Sequence, residues 1–140
     1  MVGVLVVSHG NLAGALLRTA ESIAGECPYA WAVELGMDEA PEAFRERLLA
    51  AMRRTDEGAP DEWLLLTDLL GGTPHRVATI LCDDLPRPKT CAVVSGVNLA
   101  MVVDALLACQ EAPDAASLAL HVASTGLQQV RGAVRDDLAE

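Results

Sequence analysis

Residues 2–10 read Val2-Gly3-Val4-Leu5-Val6-Val7-Ser8-His9-Gly10. The first six carry no polar side chain, as expected of a strand covered on both faces; a half-buried strand would alternate. The run stops at Ser8-His9-Gly10. Asn11 can then cap a helix with a stripe of Leu12, Leu16, Ala20 and Ile23, and Gly25 can end it.

The alternation of strand and helix continues along the chain. Residues 30–35 form a short second strand. Asp38, Glu39, Pro41 and Glu42 open a second helix, buried through Phe44, Leu48, Ala51 and Met52 and closed by Arg53 and Arg54. A polar turn over 56–61 leads to a third buried strand, 63–67, with Asp68 at its end. Gly71-Gly72-Thr73-Pro74 turns into a third helix, with Thr73 as cap and Pro74 as first helical residue. Residues 90–95 are a fourth strand. Gly96-Val97-Asn98 leads into a helix with Leu99, Val102, Val103, Leu106 and Leu107 on one side. From Pro113 the pattern stays helical, with one stripe at Leu118 and Val122 and another at Leu127, Val130, Val134 and Leu138; Gly126 either separates two helices or weakens one. No repeat or linker interrupts the chain. The expectation is one α/β domain over residues 1–140: a three-layer sandwich with a mainly parallel central sheet and helices on both faces.

Composition narrows the function. Hydrophobic residues make up 51 %, enough for a full core, and the formal net charge is −10. So acidic a protein repels polyphosphate backbones, which argues against a nucleic-acid partner. The N-terminal apolar run is too short to span a bilayer and has no basic leader, so a cytoplasmic location is expected. Cys27, Cys82, Cys91 and Cys109 form no CxxC pair and lie in or beside apolar segments, which predicts buried thiols and no metal site.

In open parallel sheets, ligands sit beyond the C-terminal strand ends, where the strand order reverses. Three strand ends here are rich in small polar residues: Ser8-His9-Gly10, Thr67-Asp68 with Gly71-Gly72-Thr73, and Ser95-Gly96-Val97-Asn98. If the first and third strands are neighbours, His9 and Asp68 meet. Asp68 can then accept the Nδ1 proton of His9, leaving Nε2 free to attack phosphorus, and can stabilise the cationic ring that results. Gly10, Gly71 and Gly72 let the backbone come close, and the helix N-termini after Gly10 and Gly72 can aim N–H groups at phosphoryl oxygens. Thr73 can add a hydroxyl, and Ser95 belongs to the same supporting set. Each piece alone also has a plainer reading: His-Gly as a turn, Asp68 as a cap, Gly-Gly-Thr-Pro as a capped turn. The Gly-Gly turn lacks the lysine of a Walker loop, and no GxSxG nucleophile elbow is present. His75 reads as an exposed helix residue near the site, His121 as structural, and Lys89 offers no catalytic argument.

The three pieces, Val6-Val7-Ser8-His9-Gly10, Asp68-Leu69-Leu70-Gly71-Gly72-Thr73-Pro74 and Ser95-Gly96-Val97-Asn98-Leu99, occur in this order and register. In this the whole chain resembles the enzyme IIA domain of the mannose class of the bacterial phosphoenolpyruvate-dependent sugar phosphotransferase system. The resemblance implies a phosphoryl carrier. His9 would be phosphorylated by the phosphocarrier protein HPr and would pass the group to a IIB domain, for a sugar imported by membrane IIC and IID subunits. It implies that Asp68 bonds the histidine, that Thr73 is the hydroxyl residue after Gly-Gly, that the protein is a homodimer, and that it uses neither metal nor organic cofactor. Leu70, Arg76 and Ala100 depart from the family pattern, which has an aromatic residue, a small polar residue and a proline there. These departures bear on docking and partner identity, and Arg76 is a candidate phosphate contact. Two other functions fit the same chemistry: the phosphoryl-transfer subunit of a dihydroxyacetone kinase, and a regulatory module whose phosphorylation state is a signal. A plain small-ligand binder is a further alternative.

Overall fold

The structure, a computed structural model, describes residues 1–53 and 58–135. Four strands and five helices follow one another as β1 (Val2–His9), α1 (Leu12–Ala24), β2 (Ala30–Leu35), α2 (Pro41–Met52), β3 (Glu62–Thr67), α3 (Thr73–Asp84), β4 (Thr90–Val94), α4 (Leu99–Ala108) and α5 (Ala115–Gln128). The sheet order is β2-β1-β3-β4 and every pairing is parallel. The chain leaves β1 in one direction to make β2 and returns on its other side as β3. The strand order therefore reverses between β1 and β3. This is the three-layer α/β sandwich that the sequence predicts.

The apolar run of β1 takes the central place because it can be covered twice. Val4 and Val6, with Leu64 and Leu66 of β3, face a layer made of α1, α4 and α5. Leu5 and Val7, with Trp63 and Leu65, face Phe44, Leu48 and Met52 of α2 and Ala78 and Leu81 of α3. Strand side chains alternate between faces, so one strand serves both layers.

Several helix faces differ from the sequence expectation. In α1 the buried residues are Ala13, Leu17 and Ala20, whereas Leu12 and Ile23 are exposed. The segment carries two overlapping apolar stripes, and the one with two alanines lets the helix lie close to the sheet. In α4, Met101, Val102, Ala105 and Leu106 are buried, whereas Leu99 and Leu107 are exposed. Gly126 lies inside α5, which is one helix. Its missing side chain leaves room for Met101, whose Sδ would stand closer than any contact to a Cβ there. Leu127, Val130 and Val134 are exposed, so the second stripe is not a core face, and Leu138 lies outside the described residues. Arg53 is the C-cap of α2, and Arg54 with part of the turn at 56–61 also lies outside the described residues.

The cysteines need a correction. Cys27 and Cys109 are buried free thiols with Sγ atoms 3.3 Å apart. Cys82 and Cys91, however, are joined as a disulfide with Cα atoms 5.5 Å apart. The reason is tertiary: the last turns of α3 pack beside β4, a proximity no linear spacing reveals. Among the described residues no helix is long and apolar enough to cross a membrane.

Candidate functional site

Parallel pairing sets Val7 of β1 beside Thr67, the last residue of β3, and β1 runs two residues further. His9 closes β1 and Asp68 follows β3 directly. Asp68 Oδ2 stands 2.7 Å from His9 Nδ1 and accepts the His9 backbone N–H at 2.8 Å. Asp68 Oδ1 accepts the Leu69 N–H at 2.8 Å. Partial burial pushes the Asp68 carboxyl up. The His9 amide and ring and the Leu69 amide outweigh that, and hold it below the usual aspartate range. An ionised carboxylate can only accept, so the proton between the pair belongs to Nδ1, and in the neutral ring the lone pair is at Nε2. Among the described residues Nε2 has no hydrogen-bond partner. The imidazole is 45 % exposed while the Asp68 side chain is 10 % exposed. The carboxylate is thus walled in and the ring is reachable.

Ser8, fully buried, holds the His9 backbone from the other side. Its Oγ donates to the His9 carbonyl at 2.9 Å and accepts the Ala13 N–H at 2.8 Å. Asn11 occupies the N-cap of α1 but makes no side-chain cap bond. The side-chain cap comes from Ser8 instead, whose Oγ takes the Ala13 N–H. Glu34 Oε2 accepts the next amide, that of Gly14, at 2.9 Å. Two of the α1 amides expected to face an anion are therefore already engaged.

The start of α3 is different. Its N-cap is Gly72, with extended backbone at φ −69° and ψ 168°, so Thr73 and Pro74 are the first two helical residues. The cap is one residue earlier than expected, because the Gly72 carbonyl already accepts from Arg76 N at 2.9 Å. Among the described residues the Thr73 hydroxyl has no hydrogen-bond partner, which leaves it unspent. The amides of Thr73 and His75 have no acceptor among the described residues. This N-terminus lies against the ring: a Cβ at Gly72 would stand 3.0 Å from His9 Cε1, the carbon next to Nε2. Gly71, at φ +80°, adopts the left-handed conformation that glycine accepts without strain.

The third strand end supports the site from behind. Gly96 N donates to the Asp68 carbonyl at 3.0 Å and Val97 N to the Thr67 carbonyl at 2.9 Å. Ser95 lines a hollow of about 270 Å³ with Gly96, Asn98, Met101 and Gly126, toward α5, and among the described residues its side chain makes no hydrogen bond to His9 or Asp68. Gly10, at φ +52°, carries the chain from β1 into α1, its N–H bonded to the Leu35 carbonyl at 3.3 Å. Sequence reasoning missed Ser8 and Glu34 as supports, and also the bond from Gly71 N to His75 Nδ1 at 3.0 Å. Only the last has a linear signature: His75 is three residues beyond the cap, where side chains reach back over a helix start.

Known proteins are similar to this chain in sequence and fold. A family model described as the fructose IIA component of the phosphotransferase system matches residues 3–122. The chain is 28 % identical over 130 residues to the mannose-specific EIIAB component of the phosphotransferase system of Escherichia coli (strain K12). That match covers 93 % of this chain but 39 % of the relative, so the chain spans well under half the length of that protein. Component EIIA of the phosphotransferase system from Streptococcus agalactiae superposes with a TM-score of 0.83 at 28 % identity, over 94 % of this chain and 97 % of that one. The mannose/sorbose specific IIA subunit from Enterococcus faecalis superposes with a TM-score of 0.80 at 27 % identity, over 99 % and 98 % of the two chains.

Proposed function

The chain belongs to the EIIA-man family, the fructose IIA components of the phosphotransferase system, and from that premise we propose that it is a phosphoryl carrier working through His9. The observation that carries this reading is the pairing of Asp68 Oδ2 with His9 Nδ1 at 2.7 Å, which leaves Nε2 unpartnered on an exposed ring. Nε2 attacks the phosphorus of a phosphohistidine on the donor HPr. The new N–P bond forms as the donor's breaks, and the donor imidazole leaves with the electron pair. The His9 ring becomes cationic, and the ionised Asp68 already in place stabilises it. The amides of Thr73 and His75 and the Thr73 hydroxyl meet the phosphoryl oxygens at the start of α3. A IIB domain then takes the group by the same displacement in reverse, for uptake of a sugar.

The surroundings of the ring fit a protein partner. Leu12, Met37, Leu69 and Leu70 are exposed apolar side chains at the same end of the sheet as His9. Such a patch around a reactive group suits docking of a macromolecule. The reading places the protein in the cytoplasm, where HPr is charged, as a homodimer.

The test is an incubation with phosphoenolpyruvate, enzyme I and HPr, followed by mass analysis. The expected result is one phosphoryl mass on His9, acid-labile and alkali-stable, and absent in His9→Ala. No mass gain on the wild-type protein would sink the reading. Discharge of the phosphorylated protein by a kinase subunit carrying ADP, and not by a IIB domain, would move it to a dihydroxyacetone kinase system.

A further inference from the structure

From the contact between Gly71 and His75 we infer that His75 is a positioning residue: its neutral imidazole holds the Gly71–Gly72 turn against the His9 ring. The consequence for transfer rests on the phosphocarrier reading above; the contact itself does not.

A backbone amide can only donate, so the 3.0 Å bond from Gly71 N makes His75 Nδ1 the acceptor and places the ring proton on Nε2. A cationic ring has no lone pair to offer and cannot make this bond. His75 stands at the third helical position of α3, where a glutamate or glutamine side chain reaches back to the cap amide in a capping box. The imidazole reaches one residue further, to the amide before the cap. The Gly72 N–H is taken by the Leu69 carbonyl at 3.0 Å. Both amides of the turn are thus tied, one by the loop's own backbone and one by His75.

The tied turn bears on the reactive ring. Gly72 lies so near His9 that a Cβ there would come within 3.0 Å of Cε1, next to the attacking nitrogen. The Thr73 and His75 amides follow Gly72 directly, so the placing of the turn is also the placing of these donors relative to Nε2. Without the Gly71 bond, the left-handed Gly71 keeps its backbone freedom and the turn can drift. Small errors in donor placement cost rate, because phosphoryl transfer depends on alignment.

Two variants isolate the acceptor. His75→Asn puts an amide oxygen where Nδ1 stood, and His75→Leu keeps bulk without an acceptor. Three measurements apply: long-range nitrogen–proton correlation for the His75 tautomer, the His9 Hε1 chemical shift, and kcat and KM for loading by phospho-HPr. The expected wild-type tautomer carries its proton on Nε2. The expected His75→Leu protein shows a displaced His9 Hε1 shift and a kcat lowered about tenfold at unchanged KM, and His75→Asn restores both. Overturning results are a wild-type ring protonated on Nδ1, an unmoved Hε1 shift with normal kcat in His75→Leu, or a raised KM alone, which would make His75 a docking residue. If His75→Leu fails to fold, the wild-type tautomer and the kcat of His75→Asn decide. If phospho-HPr loads no protein at all, the phosphocarrier reading fails, and the Hε1 response still judges the positioning.

Discussion

Replacing Asp68 by asparagine tests the site at its most demanding point. The carboxylate makes three acceptor contacts: Oδ2 to the His9 amide and to Nδ1, Oδ1 to the Leu69 amide. Asparagine has one carbonyl oxygen and one NH₂ group, so no orientation satisfies all three. With its oxygen toward His9, the NH₂ opposes the Leu69 N–H. With its NH₂ toward His9, it donates to Nδ1, drives the ring proton to Nε2 and removes the nucleophilic lone pair. Either way the charge facing the phosphorylated ring is gone. A hydrogen bond to a charged group contributes about 1.5–3 kcal/mol, and losing it from the transition state slows transfer about 10- to 100-fold. Rapid-quench measurement of loading from phospho-HPr reads this rate. The acid side of the stability curve gives a second readout. Asp68 is held below the usual aspartate range in the folded protein. The unfolded chain therefore binds its proton first as pH falls. Asp68 contributes stability that is fully present above the unfolded value of about 4, and is lost as pH drops through the lower folded value. Asp68→Asn should flatten that acid limb. Loading at the wild-type rate in a folded Asp68→Asn protein would refute the pairing argument.

Gly72→Ala keeps a backbone that alanine adopts readily, at φ −69°, but sets a methyl 3.0 Å from His9 Cε1 and 3.3 Å from the Leu69 carbonyl. It should lower loading about tenfold while urea unfolding shows a midpoint close to wild type. Ser8→Ala removes the side-chain cap of α1 and the bond to the His9 carbonyl; chemical denaturation should show a loss of about 0.5–2 kcal/mol. Thr67 is fully buried and its Oγ1 has no partner among the described residues, so Thr67→Val should be neutral or stabilise by about 1 kcal/mol in the same assay, with loading unchanged.

The parts of this fold that were legible in the sequence are those decided by local pattern. The run from Val2 to Val7 reads as a doubly covered strand, while the strands that flank it are decided only by the pairing in the folded sheet. Neighbouring β1 and β3 then brought His9 and Asp68 to one edge. The helix faces were harder. In α1, Leu12, Leu16, Leu17 and Ile23 support two registers, and packing against the sheet chose the one with Ala13 and Ala20. The Cys82–Cys91 link depends on which elements pack side by side, and the Ser8 cap of α1 on a strand-to-helix turn that brings Ser8 Oγ to Ala13 N, five residues on. The His75 contact was within reach of sequence reasoning, but placing the cap at Thr73 instead of Gly72 put the imidazole out of register with the turn it holds.

Asp68 is fastened by both oxygens, one of them to a main-chain amide outside the reacting pair. In the proposed carrier role, the counter-charge therefore need not swing or reorganise when the ring gains or loses its load. A relay with a stationary electrostatic partner offers nearly the same surroundings to an arriving and a departing group. It suits traffic in both directions, with the direction of flow set by the relative amounts of loaded donor and empty acceptor.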